Sequence, residues 1–175
     1  MRIGVSGPHG TGKTTLVDDL CTALGDHVAM EEPYHLLEDE GHEFAHPPSP
    51  SDYRMQLTRS IDALNNSYEN VVFDRTPMDF LAYLAACGAD LDEEVDADAV
   101  RAAMAGLDLL VLVPISGATE KDLPEPEMLG LRAAVNESLI EVVYADDLEV
   151  MGDLRVIELA GPLDQRVDVV LAALR

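Results

Sequence analysis

Residues Gly7-Pro8-His9-Gly10-Thr11-Gly12-Lys13-Thr14 fit the pattern G-x-x-x-x-G-K-[ST], and few eight-residue stretches constrain a chain more. The glycines let the backbone turn so that successive N–H groups point into one concavity. A helix starting at the loop adds its positive end to the same place. Lys13 is placed to reach the β- and γ-phosphates of a nucleotide, and the Thr14 hydroxyl can hold Mg²⁺. Thr15 closes the segment, and His9 reads as a variable position within it. Such a loop works only between a strand and a helix. Arg2 to Ser6 has the pattern of a strand, and Lys13 to Leu24 that of a helix with Leu16, Val17, Leu20 and Leu24 on one face and Gly25 past its end. A chance match in a chain this long has odds on the order of one in a hundred or less.

The rest of the chain repeats the alternation. Strands are expected over His27–Glu31, Asn70–Asp74, within Asp108–Pro114 and over Leu154–Leu159. A loop rich in Pro, His and Glu is expected from Glu32 to Pro50, then a helix from Ser51 with Tyr53, Leu57, Ile61 and Leu64 on its apolar face. Thr76-Pro77-Met78-Asp79 is a helix start, with Thr76 as cap and Asp79 closing a capping box. Further helices are expected over about Asp96–Gly106, up to about Asp147, and at the C-terminal end with Leu163, Val167, Val170, Leu171 and Leu174 in one stripe. This order gives an α/β fold, a parallel sheet with helices on both faces, and 175 residues suit one domain. Ligands in such sheets sit beyond the carboxyl ends of the strands, here just after Ser6, Glu31, Phe73 and Val113.

Charge narrows the partners. The formal net charge is −23, with 11 basic residues. A surface this acidic repels nucleic-acid polymers and anionic membranes, so neither is expected as a partner. Two readings of the acidity stand side by side: a solvated acidic face, or adaptation to high salt, where repulsion is screened. No apolar run approaches the ~20 residues of a membrane span, and no basic segment with an apolar stretch opens the chain. A cytoplasmic location is expected. Cys21 and Cys87 read as reduced, buried small hydrophobes in helices.

A regulatory GTPase would need N-K-x-D and D-x-x-G, and Thr119-Glu120-Lys121-Asp122 has the wrong order. A motor or AAA-type ATPase usually ends its acidic strand in Asp-Glu, the Glu activating water. Here Val71-Val72-Phe73-Asp74-Arg75 has Arg in that place. An Arg cannot be a general base, but it can grip an anionic or hydrogen-bonding group with two donors. The pattern favours transfer over hydrolysis.

With these residues in view, Gly7 to Thr15, Glu32-Pro33 and Phe73-Asp74-Arg75-Thr76-Pro77 resemble the P-loop kinases of nucleosides and nucleotides, including nicotinamide-riboside-type kinases and uncharacterised ATPase-like relatives. The resemblance runs through most of the chain in order. It implies a three-layer P-loop fold with a five-stranded parallel sheet in the order 2-3-1-4-5, an acceptor region over about 32–66 and a short lid over about 115–126. It implies ATP and Mg²⁺, a small-molecule phosphoryl acceptor, and leaves room for a homodimer. By resemblance Glu32 takes the acceptor proton, Asp74 sits near Mg²⁺ with Thr14, Arg75 steadies acceptor or phosphoryl group, and Gln56 reads a nucleobase. The family lid carries two or three arginines. Here it holds Lys121, with Arg132 on the helix beyond: either these two complete the candidate substrate residues beside Glu32, Gln56 and Arg75, or the transferring phosphate rests on Lys13 and Arg75, or the chain is a weak kinase or only a nucleotide binder.

Plainer roles exist for each. Glu31 and Glu32 could open an exposed acidic loop. Asp74 could cap a helix, Arg75 could pair with Glu32 or Asp74, and Gln56 could be solvated. His35, His42 and His46, with Glu38, Asp39 and Glu43, fit a mobile acceptor loop better than a metal site. Gly161-Pro162 could border an adenine or form a turn. Three functions stand open: an ATP-dependent phosphotransferase, a stand-alone NTPase or nucleotide-sensing module, or a non-catalytic interaction protein.

Overall fold

A strand covered on both faces can be apolar at every position, as Val71–Phe73 and Leu109–Leu112 are. The computed structural model describes residues 1–122 and 128–175, with Lys121 and Asp122 as backbone only. Strands β1 (Arg2–Ser6), β2 (Val28–Met30), β3 (Val71–Asp74), β4 (Leu109–Leu112) and β5 (Val156–Glu158) form one parallel sheet in the order β2-β3-β1-β4-β5. The helices are α1 (Lys13–Leu24), α2 (Pro33–Asp39), α3 (Pro50–Asn66), α4 (Pro77–Ala86), α5 (Leu91–Glu94), α6 (Ala97–Met104), α7 (Gly117–Asp122), α8 (Leu129–Tyr144) and α9 (Arg166–Ala173). The α/β class and the expected strand order both hold.

Alternate strand residues feed two cores. Val71, Phe73, Leu110 and Leu112 pack against α3, α4, α6 and α8. Ile3, Val5, Val72, Leu109 and Val111 pack on the other face with α1 and α9. Each fully buried Leu or Phe contributes roughly 1.5–3 kcal/mol. Helix α4 lies deepest, with every residue from Pro77 to Leu84 buried. Since β1 is central, the loop after it emerges at the middle of the sheet, flanked by the ends of β3 and β4.

Four expectations need correction. The segment from Glu32 to Pro50 is not wholly a loop: Pro33 starts α2, and Tyr34 stacks on Phe44 with centroids 4.2 Å apart. The candidate lid begins with α7 instead of a polar loop. Helix α8 stops at Tyr144, three residues short of the expected end; Asp146 takes a left-handed φ of 49° and its carboxylate accepts from the Val150 and Met151 amides. Cys87 is exposed at the end of α4 and Cys21 is only half-buried, so neither is the buried hydrophobe expected; both are free thiols.

Helix α3 starts at Pro50, capped by Ser49, whose hydroxyl accepts from the Asp52 amide while Asp52 accepts from the Ser49 amide. Burial pushes the Asp52 carboxyl up, but hydrogen bonds from Ser49, His42 and the Ala45 backbone outweigh it and bring its pKa to about 2. A carboxyl lowered from 3.8 stabilises the fold above about pH 4 and loses that contribution as pH falls toward 2. Asp52→Asn is therefore expected to lower the melting temperature at neutral pH, with the gap to wild type closing between pH 4 and pH 2. A gap that stays constant across that range would exclude the linkage.

Candidate active site

The loop after β1 has the strained backbone its glycines allow. Gly10 and Gly12 sit at φ 67° and 79°, and a Cβ on Gly7 would lie 2.3 Å from the Val113 carbonyl oxygen. Its carbonyls are held from outside by buried cations. Lys13 Nζ donates to Pro8 O at 2.9 Å, Arg132 Nε to His9 O at 2.9 Å, Arg166 Nη1 to Thr11 O at 2.7 Å, and Arg75 Nη1 to Gly7 O at 3.3 Å. The start of α1 faces the same concavity, and a helix N-terminus favours an anion there. Burial lowers the Lys13 pKa to about 8, with Arg75 acting in the same sense and Asp79, Asp74 and Glu32 opposing it.

Thr14 Oγ1 donates to Asp74 Oδ2 at 2.6 Å, and Asp74 Oδ1 is buried without a partner among the described residues. Burial raises the Asp74 pKa against Lys13 and Thr14. A hydroxyl beside an orphaned carboxylate oxygen is a hard, all-oxygen donor set that fits Mg²⁺, so Thr14 and Asp74 are the residues that would hold it. Asp74 does not cap α4: Thr76 does, its hydroxyl accepting from the Met78 amide.

Arg75 has a φ of 75°, a conformation that costs a non-glycine residue of order 1–3 kcal/mol. Its amide still bonds Val5 O at 2.9 Å, and the turn sends the side chain into the site. Nε donates to Glu32 Oε2 at 2.7 Å and Nη1 to Asp79 Oδ1 at 3.2 Å, while Cζ lies 5.5 Å from the Tyr83 ring centre. Burial works against the charge, but Tyr83, Glu32, Asp79 and Asp74 together raise the Arg75 pKa. Burial likewise pushes Glu32 up, yet Arg75 and Lys13 bring it below the usual carboxylate range. The pairing partner is Glu32, not Asp74.

Beside this pair lies a cavity of about 130 Å³ lined by His9, Glu32, Tyr34, Pro48, Tyr53, Gln56, Arg75, Tyr83 and Met128. Gln56 is 4% exposed, so it is no solvated residue; its Nε2 donates to Asp52 O at 3.3 Å. Tyr53 and Tyr83 stack with centroids 4.6 Å apart and form one wall. Glu32, Gln56 and Arg75, named from separate segments, thus line one cavity next to the phosphate loop. Arg132 is 2% exposed and is engaged by His9 O and by Glu120 Oε1 at 2.6 Å. Thr15 lines a second cavity beyond α1. The Lys121 side chain lies outside the described residues.

A family model described as "AAA domain" matches residues 2–166. The chain belongs to that family. The expectation that set AAA-type ATPases apart is corrected to this extent: this AAA domain ends its third strand in Asp74-Arg75 instead of Asp-Glu. Curated proteins include no match. Among solved structures, shikimate kinase from Aquifex aeolicus superposes with a TM-score of 0.62 at 16% identity, covering 99% of this chain and 96% of that one. Deoxyadenosine kinase from M. mycoides with products dCMP and a flexible dCDP gives 0.66 at 17%, covering 99% and 98%. NadR in complex with NR gives 0.66 at 21%, covering 98% of this AAA domain and 50% of that chain. At such identities the likeness concerns the fold, which is the P-loop small-molecule kinase-like fold. No helix among the described residues is long and apolar enough to cross a membrane.

Sequence reasoning missed two residues of this AAA domain's site. The sequence pattern marks Asp79 only as a cap, yet its Oδ1 also accepts from the Gly7 amide at 2.9 Å. Tyr83 carried a usable signal: Asp79 and Tyr83 are four residues apart on one helix face, and Arg75 lies four before Asp79.

Proposed function

We propose that the chain is an ATP-dependent phosphotransferase that moves the γ-phosphoryl group to a hydroxyl or phosphate of a small molecule, a nucleoside, nucleotide or related metabolite. The observation that carries this reading is the placement of Arg75. Its guanidinium sits between the phosphate loop and the cavity, at the position where a hydrolase would keep a water-activating Glu. A cation fixed there can neutralise charge on a phosphoryl group in flight or hold an anionic acceptor. Glu32, kept ionised by Arg75, can orient an acceptor hydroxyl and take its proton. Gln56 offers its side-chain carbonyl to an acceptor, and the Tyr53–Tyr83 wall offers a flat apolar surface. Lys13 and the loop amides hold the donor phosphates. Thr14 and Asp74 would hold Mg²⁺, which would supply charge neutralisation to the donor phosphates.

One observation favours the second reading, a stand-alone NTPase or nucleotide-sensing module. The cavity of about 130 Å³ is below the roughly 300–1,000 Å³ of most small-molecule sites. The discriminating measurement is ADP release with and without candidate acceptors. A large stimulation by one acceptor supports transfer, and uniform slow release supports hydrolysis.

Both readings require nucleotide binding. MgADP or MgATP is expected to stabilise the wild type by about 2.7 kcal/mol at a hundredfold excess over the dissociation constant. Lys13→Ala is expected to remove most of that gain. Thermal shift at millimolar nucleotide checks it, and a flat response from the wild type would reject the site.

A further inference from the structure

Arg166 stands in the first turn of α9, and its guanidinium is unlike the other buried cations around the loop. Lys13 feels Asp79, Asp74 and Glu32; Arg75 pairs with Glu32 and Asp79; Arg132 pairs with Glu120. Arg166 is 2% exposed, and among the described residues no carboxylate comes within ion-pair distance of it. Among the described residues its one side-chain hydrogen bond is Nη1 to Thr11 O at 2.7 Å, and Nε and Nη2 are buried with no partner. Burial alone acts on its pKa, downward, with no compensating charge.

As a structural element this makes little sense. A buried cation without a counter-ion, with two unsatisfied donors, destabilises a fold, and an apolar side chain of similar size would serve the packing better. Leu16 and Leu163 line one cavity with Arg166 and would border such a replacement. The two unpartnered donors point to a ligand outside the chain. One contact points to a partner: Nη1 holds the carbonyl of the Thr11 peptide, part of the phosphate loop. Arg166 also lines the cavity beside α1 that Asp19 and Asp164 share, in a chain whose net charge of −23 otherwise repels phosphates.

We propose that Arg166 is a positioning residue whose missing counter-ion is the oligophosphate of the nucleotide: it orients the Thr11 peptide and lends the loop a positive charge from behind. The proposal rests on the nucleotide-binding reading above, and its test separates the two. Wild type, Arg166→Met and Arg166→Lys are compared by thermal shift and by titration with MgADP and with inorganic tripolyphosphate. Tripolyphosphate lacks a base, so it isolates the phosphates from the cavity that Arg166 itself lines with Thr15, Leu163 and Asp164. The expected result is that ligand-free Arg166→Met melts at or above wild type. Its affinity for both ligands should fall roughly tenfold or more, the scale of one charge-assisted contact, and Arg166→Lys should recover part of the loss. If Arg166→Met keeps wild-type affinity, or if both variants lose their fold, the proposal is overturned and Arg166 is structural. If MgADP affinity falls but tripolyphosphate affinity does not, Arg166 serves the base and the proposal fails. A wild type that binds neither ligand would sink the nucleotide reading itself.

Discussion

Arg75→Ala is expected to lower acceptor phosphorylation by roughly 10²-fold or more while nucleotide affinity changes little, because the loop and Lys13 hold the donor. Glu32→Gln is expected to lose a similar factor, the scale of one general base. The two residues form one ion pair at 2.7 Å, so their losses should not add in the double variant. Arg75→Ala also leaves Glu32 and Asp79 without their shared partner, so turnover is to be compared per folded molecule. Arg75→Lys keeps the charge but not the two-donor fork, and an intermediate loss is expected. Background ATP hydrolysis should change much less than transfer, since water needs neither the cavity nor its base. Parallel turnover with and without acceptor decides it. Equal losses in both activities would favour the hydrolase, and full transfer by Glu32→Gln would remove Glu32 as the base.

Asp79→Ala should be the most damaging single change to the fold, at about 3–5 kcal/mol, a large share of the ~5–15 kcal/mol a domain of this kind has to lose. The carboxylate is 1% exposed and does three jobs. It accepts from the Thr76 amide at 2.9 Å to start α4, from the Gly7 amide at 2.9 Å to set the loop, and from Arg75 Nη1 at 3.2 Å. A lost cap alone is worth ~1 kcal/mol. The rest comes from two unsatisfied buried amides and an arginine short of one partner. Asp79→Asn keeps the shape and should cost less. Denaturant midpoints with unchanged slopes check it; a loss near 1 kcal/mol would mean that Asp79 is only a cap.

What the sequence makes legible here is what depends on local pattern. The phosphate loop, the Thr76–Asp79 capping box and the apolar strand runs are all read from neighbours within a few positions, and each is where it was expected. Strand-end logic goes one step further and places Glu32 and Asp74–Arg75 at the same edge of the sheet. What it does not supply is which side-chain atoms meet. The pairing of Arg75 with Glu32 instead of Asp74 depends on a left-handed φ at a non-glycine residue, and no composition rule announces that. Gln56 and the Tyr53–Tyr83 stack belong to the cavity because α3 packs on α4, a tertiary fact. Arg166 is 155 positions from the Thr11 carbonyl it touches, and in sequence it is only one charged residue near a helix start. Helix α2 was hidden by a Pro- and His-rich composition that reads as loop, although Pro33 suits a first helical turn.

The depth of α4 has a consequence for motion. Its first two turns are sealed in the core, and through Asp79 they hold the loop from below. Amide protons at Gly7 and Thr76 should then exchange with solvent only when the whole domain unfolds, the slowest class of opening. The floor of the site is a fixed plate with no hinge. Admission of an acceptor larger than the present cavity falls instead to α2, which buries only Pro33 and Leu37 and packs on α3, with Tyr34 stacked on Phe44. Fast exchange should be found there, so that the two walls of one cavity would differ in exchange lifetime: one as durable as the fold, the other able to breathe on its own.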